Sequence, residues 1–302
     1  MGNRELGLVS VIIPVYNAGD YLSETLTSVL AQTYKNIEII AVDDGSSDSS
    51  VDILRSFAER VVLIQQPNSG PAMARNRGVM EANGEWVAFL DADDLWEPDK
   101  IEIQLQSMKG FDWSYTDIKF MGGVNDGKKD SFFSQKPSGN IFKKLICSNF
   151  ISTSTVLIRR SVFNEVGGFD VELHSIQDWD LWIRVARQYP IAYIPESLVK
   201  YRIHSISTSR NSRKTLPNHL KVIEKTFSTS VDDKDNLHLK RFAKANSFSI
   251  CSQIAEEEKD FLFSFQCAFN AFVQQPLKKH RNERMVKSSI KLLLYWAGLY
   301  GR

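Results

Sequence analysis

Glu85-Trp86-Val87-Ala88-Phe89-Leu90-Asp91-Ala92-Asp93-Asp94 joins five apolar residues, without a polar break, to three carboxylates within four positions. The apolar run reads as a strand buried on both faces of a parallel sheet. A packed interior is not expected to accept the charges that follow, so the strand should emerge there at the carboxyl edge of the sheet, where ligands of open α/β sheets bind. In an extended stretch alternate side chains share a side, which would aim Asp91 and Asp93 into one crevice. Two hard oxygen donors so placed suit Mg²⁺ or Mn²⁺ together with a phosphate. The plainer alternative is a solvated acidic turn ahead of a helix that has Pro98 in its first turn.

Upstream, strand and helix patterns alternate. Val9 to Tyr16 reads as a strand closed at Pro14, and Asn17-Ala18-Gly19-Asp20 as a turn whose Asp20 caps a helix carrying Leu22, Leu26, Val29 and Leu30. Ile37 to Val42 is a second strand, and a second helix buries Val51, Leu54, Phe57 and Ala58. Val61 to Gln65 is a third strand, followed by Pro67-Asn68-Ser69-Gly70-Pro71 and a helix through Glu81. With the acidic strand as fourth, this order predicts a parallel sheet with right-handed crossovers. One crevice then collects Tyr16, Asp44, the loop from Asn68 to Gly70, and Asp91 to Asp94.

Each loop also has an ordinary reading. Asp43-Asp44-Gly45-Ser46-Ser47-Asp48 can be a turn with Asp48 or Ser49 as a helix cap. Two adjacent acids exceed what a cap needs, and a carboxylate there can accept from ribose hydroxyls or a base N–H. Asn68-Ser69-Gly70 is a plain loop unless a ligand needs the backbone close, which glycine permits. Arg75 and Arg77 are expected to open a helix, where positive charge opposes the macrodipole and points to an anionic neighbour or to solvent.

Composition narrows the classes. The chain has 302 residues, 43% hydrophobic content and a net charge of +1. That is enough for one large domain or a domain with an appendage, and it gives no electrostatic case for a nucleic-acid partner. Cys147, Cys251 and Cys267 lack CxxC spacing, so neither a disulfide framework nor a zinc site is expected. The short polar start is not a signal peptide, and no apolar run approaches a membrane span. The expectation is a soluble, cytoplasmic protein.

Val11-Ile12-Ile13-Pro14-Val15-Tyr16-Asn17, Val42-Asp43-Asp44-Gly45-Ser46-Ser47-Asp48, Ala74-Arg75-Asn76-Arg77-Gly78 and Phe89-Leu90-Asp91-Ala92-Asp93-Asp94 occur in that order. Together they resemble a family-2 glycosyltransferase of the GT-A fold, over about the first two-thirds of the chain. The resemblance implies a Rossmann-like α/β domain, a nucleotide-diphospho-sugar donor (a UDP-sugar foremost), a divalent metal, Mn²⁺ or Mg²⁺, and inversion at the anomeric carbon. It places Pro14, Tyr16, Asp44, Asn68, Gly70, Arg75, Asp91 and Ala92 around the donor. Asp44 would face the nucleoside, Asp91 the ribose, and Asp93 would hold the metal.

Farther along, Pro98 to Met108 reads as a helix, Trp113 to Met121 as a strand, and Gly122 to Gly139 as a long mobile loop of the kind that selects an acceptor. Thr155 to Arg159 reads as a strand, and Ser161 to Val166 as a helix stopped by Gly167-Gly168. Ile176 to Arg184 is a helix packed by Trp179, Trp182, Ile183 and Ala186, with Asp178 in its first turn. By resemblance Asp178 is the catalytic base, although Gln177 stands where the family commonly has an acid; Asp180 would point elsewhere. Arg202, His204 and the serines that follow suit diphosphate oxygens, and by resemblance His204 approaches the metal or the diphosphate.

From Thr215 onward the pattern is helical. A GT-A domain over residues 1–213 and a helical region over 214–302 are therefore expected. Helices over Phe261–Val273 and Lys287–Trp296 flank Gln274-Gln275-Pro276, and the basic run from Lys278 to Lys287 suits either packing or a peripheral membrane surface. The acceptor would be a saccharide or lipid-linked. Competing functions are a non-catalytic nucleotide-sugar binding module and a DxD phosphatase or phosphotransferase. Leu95 and the upstream acids disfavour the phosphatase, and Pro14-Val15-Tyr16-Asn17 is not the glycine-rich loop of a nucleotidyltransferase.

Overall fold

The computed structural model describes residues 6–204, 211–228, 234–276 and 279–296. In chain order the elements are β1 (Val9–Val15), α1 (Leu22–Leu30), β2 (Ile37–Asp43), α2 (Ser50–Ser56), β3 (Val62–Gln65), α3 (Pro71–Met80), β4 (Trp86–Phe89), β5 (Leu95–Trp96), α4 (Lys100–Ser107) and β6 (Trp113–Met121). There follow α5 (Phe142–Cys147), β7 (Leu157–Arg159), α6 (Arg160–Glu165), α7 (Gln177–Ala186), β8 (Ala192–Arg202), α8 (Ser212–Phe227), α9 (Lys234–Glu257), α10 (Phe261–Gln274) and α11 (Lys279–Trp296). The chain divides into two compact units, one of residues 1–141, 150–172 and 184–205, the other of 142–149, 173–183 and 206–302.

The first unit is built on an eight-stranded sheet of order β3-β2-β1-β4-β7-β6-β8-β5. The strands β3, β2, β1 and β4 are mutually parallel, as their alternation with helices predicts. β7 runs antiparallel to both its neighbours, while β6 and β8 are parallel. Val87, Ala88, Phe89 and Leu90 are wholly buried, as a strand covered on both faces requires. Val11, Ile13, Leu22, Leu26, Val29, Ala41 and Trp96 share a core with Ala88 and Leu90. α3 lies so close to the sheet that a Cβ on Gly78 would come within 2.5 Å of Ile12 Cγ2, so only glycine fits there.

Several expectations are corrected. β4 ends at Phe89, and Asp91 to Asp94 form a turn closed by the Asp94 N–H on the Asp91 carbonyl (3.1 Å), not an extended stretch. Asp20 does not cap α1, which begins at Leu22 behind Tyr21 with no side-chain cap. Ser49 occupies the N-cap of α2 without capping it, while Asp48 accepts from the N–H groups of Ser50 and Gly19. Arg75 and Arg77 do not open α3: it starts at Pro71, so Arg75 lies mid-helix and Arg77 in the last turn, beside Glu81. Thr153–Thr155 winds as a 3₁₀ turn, which shortens β7. The segment after β6 holds a 3₁₀ turn at Asp130–Phe132 and a bridge between Lys119 and Lys129.

The second unit is helical among its described residues. α11 begins at Lys279, earlier than its apolar pattern indicates, and Arg281 of its basic run is turned inward. Arg281 is 1% exposed, bonds Gln275 Oε1 (2.8 Å) and Asn246 Oδ1 (2.7 Å), and lies over the Phe242 ring. No helix among the described residues is long and apolar enough to cross a membrane. The expected serines after His204, Lys278, and the tail beyond Trp296 lie outside the described residues.

Candidate active site

β1 and β2 end side by side, with Val15 paired to Asp43, and the Asp44 N–H continues the ladder to the Val15 carbonyl (2.8 Å). The next residue, Gly45, has φ +78°, and a Cβ there would lie only 3.0 Å from the Asn68 amide, so the turn and its neighbour both require glycine. Asp44 is 3% exposed and spends both oxygens on the loop opposite. Oδ1 accepts from the Ser69 N–H and the Gln66 side chain, and Oδ2 from the Gly70 N–H, each at 2.8 Å. Asp44 therefore fixes the loop from which α3 springs. Pro14 is half-buried, and Tyr16 and Asn68 are exposed at the same sheet edge.

From α3, the Arg75 guanidinium reaches Asp91 Oδ1 at 2.5 Å, with the arginine side chain 9% exposed, and lies 5.4 Å from the Phe169 ring centroid. The anionic neighbour expected of Arg75 is thus a residue of the acidic turn itself.

The turn is clamped along its backbone. Thr25 Oγ1 donates to the carbonyls of Ala92 (2.9 Å) and Asp94 (3.0 Å), and Arg202 Nε donates to that of Asp93 (2.8 Å). Ser154 Oγ accepts from the Asp91 N–H (3.1 Å) and donates to Asp94 Oδ2 (2.6 Å). Asp94 turns inward and is 1% exposed, contrary to the expectation that all three acids face out; its other oxygen accepts from the Arg202 N–H at 2.9 Å. Ala92 is buried in the core cluster. Burial, then the charges of Asp93 and Asp91, push the Asp94 carboxyl well above the usual range, against the bonds from Ser154 and Arg202. Sequence reasoning missed Thr25, Ser154 and Asp94 as holders of this turn; only the third adjacent acid was a signal.

Asp93 Oδ2 lies 2.7 Å from His204 Nε2, so the structure brings together the two residues expected at a metal. Burial and the charge of Asp91 raise the Asp93 carboxyl, and the His204 bond opposes them. The His204 ring stacks on Tyr21 (5.2 Å between centroids), and its buried Nδ1 has no hydrogen-bond partner among the described residues. Arg202 is not poised for diphosphate oxygens as expected: its guanidinium holds the Asp93 carbonyl, pairs with Glu24 at 2.6 Å and lies 4.8 Å from the Tyr21 ring centroid. Among the described residues no group of three or more His, Cys, Asp or Glu is arranged to hold a metal. Asp93 and His204 offer one carboxylate oxygen and one imidazole nitrogen side by side, a set that would suit Mn²⁺ or Mg²⁺ only together with waters and substrate phosphate oxygens.

In the second unit, Asp178 lies in the first turn of α7, and its Oδ2 accepts from the Asn149 side chain at 2.9 Å. Gln177, at the position where the family commonly has an acid, is buried, and Asn149 is a neutral partner of Asp178. Trp179 and Trp182 are buried, and the Trp179 indole donates to the Leu145 carbonyl (2.7 Å). Asp180 is not an idle surface acid but is 2% exposed and paired with Lys225 at 3.0 Å.

The family described as glycosyl transferase family 2 matches residues 10–167. An uncharacterised glycosyltransferase of Rickettsia typhi is 36% identical over 212 residues, covering 68% of this chain and 67% of the relative. A putative teichuronic acid biosynthesis glycosyltransferase, TuaG of Bacillus subtilis, is 36% identical over 214 residues, covering 68% of this chain and 83% of the relative. Among solved structures, S. aureus TarS 1-349 in complex with UDP has a TM-score of 0.63 at 18% identity, covering 98% of this chain and 93% of that one. The mannosyltransferase PcManGT from Pyrobaculum calidifontis, in complex with GDP-Man and Mn²⁺, has a TM-score of 0.61 at 17% identity, covering 95% and 87%. These likenesses identify the GT-A fold with C-terminal helices. The ordered motifs, the acidic turn they build and the match over residues 10–167 converge on one conclusion: the chain belongs to glycosyl transferase family 2 and is a glycosyltransferase.

Proposed function

We propose that this enzyme transfers a sugar, with inversion, from a nucleoside-diphospho-sugar to an acceptor hydroxyl, and that Asp93 and His204 hold the divalent cation the transfer needs. The observation that carries this reading is the Asp93–His204 pair on a turn whose carbonyls at 92, 93 and 94 are all bonded. A bound Mn²⁺ or Mg²⁺ supplies positive charge to the departing diphosphate. Two structures of this fold, which carry UDP and GDP-Man with Mn²⁺, support a nucleotide-sugar donor.

The chain's own residues divide the work. Asp44 orders the Gln66–Gly70 loop, which, with Pro14 and Tyr16 nearby, borders the nucleoside. Arg75 sets the Asp91 carboxylate toward the ribose. Asp178 takes the proton of the attacking hydroxyl. A carboxylate suffices because that proton becomes acidic only as the new bond forms. The base assignment rests on the family pattern around Gln177-Asp178 and on the Asn149 bond that orients the carboxylate.

Thermal stabilisation by a panel of nucleotide-sugars, with Mn²⁺ and with EDTA, tests the reading. At least one donor should raise the melting temperature by mass action, with Mn²⁺ only. Asp93→Ala should abolish that Mn²⁺ dependence. Equal donor affinity of wild type and Asp93→Ala, with and without Mn²⁺, would refute the metal assignment.

A further inference from the structure

β6 leaves the sheet beside the metal-binding end of β8. Met121 pairs with Arg202, and the Ile203 N–H donates to the Met121 carbonyl at 2.9 Å, one residue before His204. The chain then folds back as a small hairpin: the Phe120 N–H donates to the Lys128 carbonyl (2.9 Å), the Phe120 carbonyl accepts from the Gly127 N–H (2.9 Å), and Lys119 bridges to Lys129. Its far end is nailed to a buried carboxylate. Asp117, 1% exposed, accepts from the Ser131 N–H (3.1 Å) and hydroxyl (2.6 Å). Asp130 is paired with Lys136.

This anchoring presents Phe132 and Phe133 to solvent at 78% and 50% exposure. Neighbouring exposed phenylalanines form a contiguous apolar patch, the kind of surface that marks a contact site. They end a ladder of rings that starts on β8: Tyr201 to Phe120 at 6.3 Å, Phe120 to Phe133 at 6.1 Å, and Phe133 to Phe132 at 5.3 Å. Lys119, Lys128 and Lys129 of the hairpin are exposed. Lys128 Nζ lies 5.8 Å from the Phe133 centroid, and Lys119 faces Lys129 across the bridge, a like-charge juxtaposition that favours an anionic neighbour.

We propose that Phe132 and Phe133, with Lys119, Lys128 and Lys129, form the acceptor platform, and that the acceptor is an anionic saccharide. Aromatic faces, negative at their centre, attract the weakly positive C–H groups of a pyranose face. The lysines select sugars bearing carboxylate or phosphate. The inference rests on the glycosyltransferase reading.

Calorimetry tests both separately. UDP and GDP with Mn²⁺ probe the donor side. A hyaluronan tetrasaccharide (uronate-bearing) and chitotetraose (neutral) probe the platform. Wild type should bind the hyaluronan fragment about tenfold more tightly than chitotetraose at low salt, and the preference should fade near 0.5 M NaCl. Phe132→Ser, at a site exposed enough to leave the fold unchanged, should weaken hyaluronan binding about tenfold. Lys129→Glu should remove the preference for the charged sugar. Nucleotide binding with no hyaluronan binding, or with hyaluronan binding indifferent to Phe132→Ser, would overturn the platform. Failure of both nucleotides to bind would instead overturn the donor reading.

Discussion

Ser154→Ala tests whether the acidic turn is held from behind as described. The serine hydroxyl donates to Asp94 Oδ2 at 2.6 Å and accepts from the Asp91 N–H at 3.1 Å, and Ser154 itself is fully buried. Alanine removes both bonds and only one atom of volume, so the cavity term is small. A hydrogen bond to a charged group contributes about 1.5–3 kcal/mol and a neutral one about 1 kcal/mol, so the loss is about 2–4 kcal/mol. The raised Asp94 carboxyl argues for the lower half, because a protonated acid loses less when its donor leaves. For a unit of this size the melting temperature should fall by roughly 5–15 °C. Differential scanning calorimetry at pH 7 reads the shift directly. Titration of Mn²⁺ with UDP should show at least about tenfold weaker binding, since a freed turn must be reordered at each binding event. A variant that melts within 1–2 °C of wild type (about a tenth of the larger figure) and binds Mn²⁺ normally would refute the claim that the turn is pre-set by its backbone bonds.

Asp178→Asn should leave donor affinity intact and lower turnover by roughly two to four orders of magnitude, measured with whichever donor the panel identifies; near-normal turnover would exclude Asp178 as the base. His219 gives a pH test in the second unit. Burial lowers its pKa from 6.5 to about 4, beside Ser247 Oγ (3.1 Å) and the Trp179 ring. Below pH 6.5 the unfolded chain takes up a proton that the folded chain refuses, so stability falls as pH drops toward 4, by about 3 kcal/mol in all. His219→Asn should flatten urea midpoints across that window, and parallel wild-type and variant profiles would contradict the assignment. Gly78→Ala should lose a net of about 1–2 kcal/mol, the cost of crowding Ile12 exceeding the gain in helix propensity, as urea midpoints will show.

The parallel half of the sheet was legible because β4 is a continuous apolar run, β1 and β2 are apolar runs with few breaks such as Ser10 and Glu38, and α1 keeps its helical period. Pro71 signalled the true start of α3, and weighing it would have put Arg75 inside the helix rather than at its mouth. The Asp93–His204 pair was legible only through the family pattern, for the two residues are far apart in the chain. Thr25 and Ser154 carried no signal at all: a buried hydroxyl that bonds a distant carbonyl looks like any other small polar residue. Asp94 misled for a related reason. Charge predicts exposure unless partners wait inside, and its partners come from Ser154 and Arg202. Asp180 was expected only to point elsewhere than Asp178; its partner Lys225 lies far along the chain and gave no signal.

The hairpin after β6 has one more consequence. It departs from a strand secured to β7 and β8, and it is tied down chiefly through Asp117 to Ser131 and Asp130 to Lys136. Thr25, Asp44, Arg75 and the 91–94 turn draw their hydrogen bonds from other parts of the chain. Residues 122–137 therefore form a segment separable from the donor machinery. On the platform reading, a lineage that keeps Asp117 and trades residues 122–137 would acquire a different acceptor while its donor machinery is inherited unchanged.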